Sequence, residues 1–225
     1  MSGSPAAIER PQTVLKINEI FHSIQGESRH AGRPCVFVRL TYCNLRCRWC
    51  DTAYAFEEGV DREVGEILET VADYGTRYVL ITGGEPLAQG GVHDLIGALL
   101  DRGHEVAIET GGSLDIAPVD RRAMIVMDLK CPGSGMESMN RWGNLDHLKP
   151  SDEVKFVLAD RADYEWARAV IAARRLAGRL GILLSPAHGL LHPRALAEWV
   201  LADRLPVRLQ IQIHKYIWPA DLRGV

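Results

Sequence analysis

The stretch Cys43-Asn-Leu-Arg-Cys47-Arg-Trp-Cys50-Asp51-Thr52 places three cysteines within eight residues, directly after an apolar run at 35–40 that predicts a β-strand. A structural zinc site needs four protein ligands, whereas three cysteine thiolates can hold three irons of a four-iron cluster. The fourth iron then keeps an open position where a substrate or cofactor can bind. The spacing therefore predicts a [4Fe–4S] cluster on Cys43, Cys47 and Cys50, with a zinc or structural thiol site as the alternative.

Outward from this stretch, strand and helix patterns alternate along the chain. Asp61 can cap a helix that ends near Gly75, and a strand at 77–82 follows it. Such alternation predicts parallel strands with right-handed crossovers. Because 225 residues fall short of the ~250 usual for eight βα units, we expect an α/β fold, an incomplete TIM-like βα barrel of about six or seven mostly parallel strands. Strand patterns lie at 14–21, 35–40, 77–82, 104–110, 123–129, 152–158, 179–185 and 207–214, and further helix patterns at 92–103, 161–176 and 192–202.

Length and composition limit the possible classes of protein. With 47% hydrophobic residues the chain can bury a full core, so we expect one domain at 13–225 and a mobile polar leader at 1–12. A net charge of −3 argues against a large nucleic-acid surface and favours a small-molecule substrate. The N-terminal segment has no apolar run that would indicate a secretion signal or a membrane span. Five cysteines, an odd number with three close together, suit a reducing cytoplasm.

Polar residues with useful chemistry follow six of the predicted strands at their carboxyl ends. In folds of this kind ligands bind at that end of the sheet, so we expect these residues to share one site. Turns are polar in any protein, and for a single residue such as Glu109 this remains the alternative explanation. Because six predicted strands carry such polar residues at their carboxyl ends, a shared functional site is the better explanation. The residues concerned are Arg39 with Cys43, and the segments 82–85, 109–112, 128–131, 185–188 and 214–218.

The cysteine motif and the Gly83-Gly84-Glu85 turn together resemble the signature of the radical S-adenosylmethionine superfamily. Most of the chain is further similar to one family within it, the 7-carboxy-7-deazaguanine synthases. The helical segments at 160–178 and 190–206 add nothing to this resemblance. The segments that carry it are Glu19-Ile-Phe-His-Ser-Ile24-Gln25-Gly26-Glu27-Ser28, Gly32-Arg-Pro34, Phe37-Val-Arg39-Leu40, Cys50-Asp-Thr52, Thr82-Gly-Gly-Glu-Pro86, Glu109-Thr110, Asp128-Leu-Lys130-Cys-Pro132 and His214-Lys-Tyr-Ile-Trp-Pro219.

The resemblance implies a ring contraction of 6-carboxy-5,6,7,8-tetrahydropterin to 7-carboxy-7-deazaguanine with loss of ammonia, in the biosynthesis of queuosine and related deazapurines. It implies a [4Fe–4S] cluster, S-adenosylmethionine and Mg²⁺ as cofactors, a one-electron donor such as flavodoxin, and a homodimer. By position, Thr52 matches the magnesium ligand, and the substrate contacts would be Ile24, Gln25, Gly26, Arg39, Thr82 and Pro219. The S-adenosylmethionine contacts would be Trp49, Cys50, Asp51, Gly84, Glu85, Glu109, Asp128, Leu129, Lys130, Ser185, Pro186, Ala187 and His188.

Within this match, the Gly-Gly-Glu turn ending in Glu85 would bind the amino group of the cofactor and Glu109 its ribose hydroxyls. The chain departs from the family pattern in three places. Gly111 stands where the family often has Asn, Ser185-Pro-Ala-His188 is a loose version of its segment, and residues up to Val225 follow Pro219. The match to the family pattern is therefore weakest for the contacts at 185–188 and at Pro219.

The residue chemistry agrees with a carboxylated pterin as substrate. Arg39 offers a planar fork for a carboxylate, and Gln25 offers one donor and one acceptor to the amide edge of a pterin. The alternative for Arg39 is an ordinary ion pair with a surface acid such as Glu27. Cys131 is expected to be a buried thiol without a catalytic role. A lone His is more often structural, so His22, His188 and His214 are candidates only.

Two other functions fit the cysteine motif. A glycyl-radical activating enzyme would share the cluster and the Gly-Gly-Glu turn, but it would act on a protein backbone and need a docking surface. An electron carrier or zinc module would need a fourth ligand near the three thiols, and the other two cysteines, Cys35 and Cys131, lie outside the motif. The segments around Gln25 and at 214–219 favour the small substrate.

Overall fold

The computed structural model describes residues 13–225, so the predicted mobile leader at 1–12 lies outside the described residues. One nine-stranded sheet runs through them in the order β3-β1-β2-β4-β5-β6-β7-β8-β9. The strands are β1 Val14–Ile24, β2 Pro34–Leu40, β3 Val60–Glu63, β4 Tyr78–Gly83, β5 Glu105–Thr110, β6 Met124–Asp128, β7 Glu153–Leu158, β8 Gly181–Pro186 and β9 Arg208–Leu209. The α-helices are α1 Val64–Asp73, α2 Val92–Asp101, α3 Arg161–Ala173, α4 Pro193–Asp203 and α5 His214–Ile217.

The sheet is an open barrel with a parallel part and an antiparallel edge. From β2 through β4 to β9 each neighbouring pair is parallel, which makes seven parallel strands. At one edge β1 pairs antiparallel with both β2 and β3. The predicted partial TIM-like barrel is thus confirmed, with two antiparallel strands beyond the six or seven expected. The first two strands are joined by a turn and the rest mostly by helical crossovers, as parallel pairing requires.

The core lies on two sides of this curved sheet. The larger apolar cluster packs α1 to α4 against the outer face, and includes fully buried residues such as Leu95 and Phe156. A small cluster fills the inner face at the base of the barrel, where the rings of Phe21 and Phe37 stack at 4.8 Å between centroids. Since both faces are covered there, the strands can be apolar on both sides. Above the inner cluster the barrel interior is left for polar residues.

Two predicted elements were wrong. Asp61 does not cap a helix, because 60–63 forms β3 along the free edge of β1, and α1 begins at Val64 with a capping box made by Glu63 and Glu66. The predicted strand at 207–214 is reduced to β9. After one more sheet bond, from Gln210 N to Leu184 O, the chain crosses to the turn after β1, where Ile213 N donates to Gly26 O.

None of the described helices has both the length and the apolar character needed to span a membrane.

Candidate active site

A cavity of about 610 Å³ opens at the carboxyl ends of the parallel strands. This volume is within the range of small-molecule sites. All three motif cysteines line it, as do side chains from the ends of β2, β4, β5, β6 and β7 and from the C-terminal segment. Of the predicted site residues, those that line the cavity are Ile24, Gln25, Arg39, Cys43, Cys47, Trp49, Cys50, Asp51, Thr52, Thr82, Gly84, Glu109, Asp128, Leu129, Lys130, Ala187 and His188.

The cysteine loop is fixed by the ends of β2 and β4. Glu85 N donates to Tyr42 O at 2.7 Å and Gly84 N donates to Leu40 O at 3.2 Å, which ties the loop to the Gly-Gly turn. Burial raises the pKa of Cys43 and of Cys47, because a thiolate is poorly solvated there. Within residues 13–225, no three His, Cys, Asp or Glu side chains converge as one metal ion would require. The three thiols of Cys43, Cys47 and Cys50 all line the cavity, where each would hold one iron of a four-iron cluster.

Gly84 allows a close approach that a side chain would block. A Cβ built there would collide with the Tyr42 carbonyl oxygen and lie 2.8 Å from Cys43 Cβ. The glycine is therefore required by the backbone of the cysteine loop, and not only by a ligand in the cavity as the sequence suggested.

Glu85 does not line the cavity, contrary to the predicted cofactor contact. Its side chain is fully buried and accepts hydrogen bonds from Leu87 N at 3.0 Å, Thr110 Oγ1 at 2.9 Å and Gly111 N at 2.7 Å. Burial raises the pKa of Glu85, and these donors oppose the shift. The carboxylate joins the end of β4 to the end of β5 and holds the backbone that borders the cavity.

Arg39 has an ion-pair partner, but it is not the expected one. Its Nε donates to Glu19 Oε1 at 2.7 Å, and Tyr54 OH donates to the same oxygen at 2.9 Å. Glu19 lies directly opposite Arg39 in the β1–β2 register. Glu27, the acid suggested from the sequence, is buried and pairs with Lys155 instead. Arg39 still lines the cavity.

A network of buried charges spans the middle of the cavity. Lys155 Nζ donates to Glu27 Oε2 at 2.5 Å and lies 3.4 Å from Asp128 Oδ1, and Lys130 Nζ donates to Asp128 Oδ2 at 2.7 Å. Burial acts to raise the pKa of Asp128, but the two lysines outweigh it and lower that pKa. Glu109 has no such direct lysine bond among the described residues; burial raises its pKa to about 7. Thr82 Oγ1 lies at 3.5 Å from Glu109 Oε2.

The C-terminal segment closes one side of the cavity. Lys215 Nζ donates to Asp51 Oδ2 at 2.7 Å, next to the third cysteine. Desolvation acts to raise the pKa of Asp51, but the Lys215 charge and hydrogen bonds outweigh it and hold that pKa well below its usual range. His214 packs against Gly26 so closely that a Cβ at Gly26 would collide with its imidazole ring. Burial lowers the pKa of His214.

Five predicted contacts do not line the cavity. Gly26 serves instead as the packing surface for His214, and Ser185 is buried within β8. Pro186 borders a separate cavity of about 320 Å³ that shares His188 with the first. Pro219 is exposed, while the residues after it, 220–225, line the cavity. The five residues are Gly26, Glu85, Ser185, Pro186 and Pro219.

Several residues that line the cavity were not predicted from the sequence. Lys155 could have been found, because the alternation of β7 places this charged residue on the inner face of the barrel, beside Val157. Tyr54 and Gln212 carry no local signal for a shared cavity, whereas Lys215 lies in the segment 214–218 that was expected to contribute to it. Cys131 is buried as expected, although it borders the cavity, and His22 is bonded to Thr76 Oγ1 and does not line it.

Comparison with known proteins now identifies the class. The family model described as Radical SAM superfamily matches residues 38–141, which contain the cysteine loop and strands β4 to β6. The E. coli protein in "Crystal structure of QueE from Escherichia coli" shares the fold, with a TM-score of 0.74 and 24% sequence identity over 88% of this chain and 94% of that one. Together with the three-cysteine loop at the mouth of a partial barrel, the match makes this chain a radical S-adenosylmethionine enzyme.

Curated relatives narrow the class to one family. A 7-carboxy-7-deazaguanine synthase from Chlorobaculum tepidum is 49% identical over 94% of this chain and 97% of its own length. One from Koribacter versatilis is 43% identical over 94% of this chain and its full length. The chain belongs to the 7-carboxy-7-deazaguanine synthase family, which confirms the resemblance. It is therefore an enzyme, a radical S-adenosylmethionine lyase of queuosine biosynthesis, and its cofactors are a [4Fe–4S] cluster and S-adenosylmethionine.

Proposed function

We propose that the cavity of this chain binds 6-carboxy-5,6,7,8-tetrahydropterin and converts it to 7-carboxy-7-deazaguanine with loss of ammonia. The observation that carries the proposal is that one cavity brings the three cysteine thiols together with Arg39 and Gln25. A cluster and a carboxylated pterin can then lie side by side. When bound, the cluster and S-adenosylmethionine would supply the radical chemistry that removes the hydrogen from carbon 6 of the pterin and returns it to the product.

The chain itself contributes position and electrostatics. Cys43, Cys47 and Cys50 would each hold one iron. The cofactor would lie against Trp49 and Asp51 on the cysteine loop, the Gly84 backbone, and the β6 end at Asp128, Leu129 and Lys130, with Ala187 and His188 at the far side. Glu109, half-buried in the cavity wall next to Thr82, would accept hydrogen bonds from the ribose hydroxyls.

The substrate would be held at both ends. Arg39 uses only its Nε for Glu19, among hydrogen bonds of the described residues, so its terminal nitrogens can bind the pterin carboxylate. Gln25 Oε1 accepts from Glu27 N at 3.3 Å, while Gln25 Nε2 is buried without a partner in residues 13–225. Gln25 Nε2 would therefore donate to the amide edge of the pterin, and Oε1 keeps a second lone pair to accept from it. Ile24 and Thr82 would contact the ring.

Mg²⁺ would bind at Thr52. The Thr52 hydroxyl faces the cavity and donates to Asp51 Oδ1 at 3.3 Å, which brings a neutral and a charged oxygen together. Such a sparse oxygen set suits a hard cation that keeps several waters and shares its shell with substrate oxygens. A flavodoxin-type one-electron donor, a homodimer and a cytoplasmic location complete the proposal.

Isotope labelling of the substrate tests this function. Reconstituted protein is incubated anaerobically with the tetrahydropterin carrying deuterium at carbon 6, S-adenosylmethionine, Mg²⁺ and dithionite, and the products are measured by mass spectrometry. We expect 7-carboxy-7-deazaguanine, and deuterium in regenerated S-adenosylmethionine. Absence of the product, or one S-adenosylmethionine consumed per product, would refute the proposed reaction. A glycyl-radical activating enzyme would cleave the cofactor without changing the pterin.

A further inference from the structure

Lys155 is a charged residue on the face of β7 that points into the barrel, opposite the face that packs into the core. On β7, Val154, Phe156 and Leu158 face the helices and are buried, while Lys155 and Val157 point into the barrel and line the cavity. Only 7% of Lys155 is exposed. Burying an ammonium group costs free energy unless carboxylates lie close to it. The ammonium group of Lys155 therefore needs more than one carboxylate partner.

The lysine has such partners on two different parts of the site. Its Nζ donates to Glu27 Oε2 at 2.5 Å and lies 3.4 Å from Asp128 Oδ1. Asp128 is also its direct neighbour in the β6–β7 register, and Leu129 N donates to Lys155 O at 2.8 Å. Burial acts to lower the pKa of Lys155, but Asp128, Glu27 and Glu109 outweigh it and raise that pKa, so the group stays charged.

The two carboxylates belong to opposite halves of the proposed site. Glu27 directly follows the substrate segment 24–26, and its second oxygen accepts from Gln212 Nε2 at 2.8 Å. Asp128 begins the cofactor segment 128–130, and its second oxygen accepts from Lys130. The ammonium group of Lys155 therefore lies between a segment that would hold the pterin and a segment that would hold S-adenosylmethionine.

We infer that Lys155 is a positioning residue for the reaction, because it holds Glu27 and Asp128 in one arrangement and so fixes the distance between substrate and cofactor. The inference rests on the proposed function. Hydrogen transfer needs reacting atoms in near contact, and a displacement of about 1 Å can cost a reaction ~100-fold. Loss of the bridge should thus misalign the two ligands while leaving both able to bind.

Misalignment has a measurable product. When carbon 6 of the pterin is out of reach, the 5′-deoxyadenosyl radical would take a hydrogen atom from a C–H or S–H bond of another molecule, such as the buffer or an added thiol, and would leave as 5′-deoxyadenosine with methionine. The electron that broke the carbon–sulfur bond comes from the reductant in either case. The ratio of 5′-deoxyadenosine released to 7-carboxy-7-deazaguanine formed therefore reports alignment, and a change in the amount of folded enzyme does not alter it.

The test compares Lys155→Met and Glu27→Gln with the wild type. Each reconstituted protein is assayed anaerobically for the ratio by mass spectrometry, and for equilibrium binding of the tetrahydropterin without reductant. We expect the ratio to rise about tenfold in Lys155→Met and several-fold in Glu27→Gln, and the pterin Kd to rise severalfold, with iron content unchanged. Glu27→Gln leaves no unpaired carboxylate, so it decides the question if Lys155→Met does not fold.

Lys149→Met is the matched control. Lys149 lies just before the same strand and pairs with the buried Asp152 at 2.5 Å, away from the cavity lining. We expect it to lower thermal stability without changing the ratio. A wild-type ratio and pterin Kd in the variants that fold, or an equal rise in Lys149→Met, would overturn the role of Lys155. If the wild type formed no 7-carboxy-7-deazaguanine at all, the proposed function itself would fail instead.

Discussion

The two sides of the cavity are built in different ways. On the cysteine side, the loop at 41–52 is held by backbone bonds to the adjacent ends of β2 and β4. On the other side, which we call the closing side, side chains from distant parts of the chain form ion pairs. Glu27 pairs with Lys155, 128 residues away, and Asp51 pairs with Lys215, 164 residues away. The cysteine side therefore depends on local backbone geometry, and the closing side on pairs of charges. Changes on the first side should remove the cofactor site, and changes on the second should alter alignment or pH response.

Loss of a cluster ligand should have the largest effect. Cys47→Ala removes one of the three thiols that we assign to iron, and we expect loss of the cluster and no detectable activity, measured by iron content, visible absorption and product formation. Cys131→Ala is the control, because Cys131 is fully buried near the same cavity and is not part of the motif. We expect it to keep cluster and activity. Normal iron content in Cys47→Ala would contradict the assignment.

This contrast also explains what the sequence could reveal. The cysteine loop, the Gly-Gly turn and the alternating elements lie in continuous segments, so spacing and periodicity predicted the cluster ligands and the partial barrel. The partner of Lys155 could not be found that way, because no local pattern connects β7 to the turn after β1. The same limit explains the error at Asp61, where pairing with the distant β1 outweighed a local helix cap.

A side chain at Gly84 should have the next largest effect, on stability and cluster together. In Gly84→Ala the added carbon would collide with the Tyr42 carbonyl and press on Cys43, so the loop must move. We expect a loss of about 1–3 kcal/mol in the free energy of unfolding and reduced iron content, measured by denaturant titration and iron analysis. Gly97→Ala within α2 is the control. Its Cβ would meet nothing within 4 Å, and we expect a gain of about 0.5–1 kcal/mol. Equal stability of the two variants would rule out the close approach at Gly84.

Thr52→Ala should have a smaller effect, confined to turnover. The hydroxyl lies between the cysteine side and the closing side, 3.3 Å from Asp51 Oδ1. Without it we expect turnover to fall about tenfold and the Mg²⁺ concentration for half-maximal rate to rise, with unchanged iron content. Thr70→Ala is the control, because Thr70 Oγ1 bonds only Glu66 O on the exposed face of α1 among the described hydrogen bonds. An unchanged Mg²⁺ dependence in Thr52→Ala would remove the threonine from the metal site.

The smallest effect should come from Glu109, as a change in how stability depends on pH. Burial, Lys155, Glu27, Asp128 and Arg39 together bring the pKa of Glu109 from an ordinary value of 4.5 to about 7: burial and the two carboxylates raise it, and Lys155 and Arg39 lower it. Between these two values the folded chain binds more protons than the unfolded chain, so stability falls as pH rises through this window. Above about pH 7 the Glu109 carboxylate is ionised in the folded chain too, so the free energy of unfolding has lost its full contribution from this group and falls no further.

Glu109→Gln removes this titration, so its Tm should fall less than that of the wild type between pH 5.5 and pH 8, by a few degrees at most. Glu105→Gln, on the same strand, is the control. Hydrogen bonding to Arg33 lowers the pKa of Glu105, so the stability that it contributes is present above its unfolded pKa and is lost only in more acidic solution. The Tm difference between Glu105→Gln and the wild type should thus be the same at both pH values. If the Tm curves of Glu109→Gln and the wild type are parallel over this range, Glu109 is already ionised at pH 5.5. Lys155 then compensates the burial of the Glu109 carboxylate more completely than the geometry indicates.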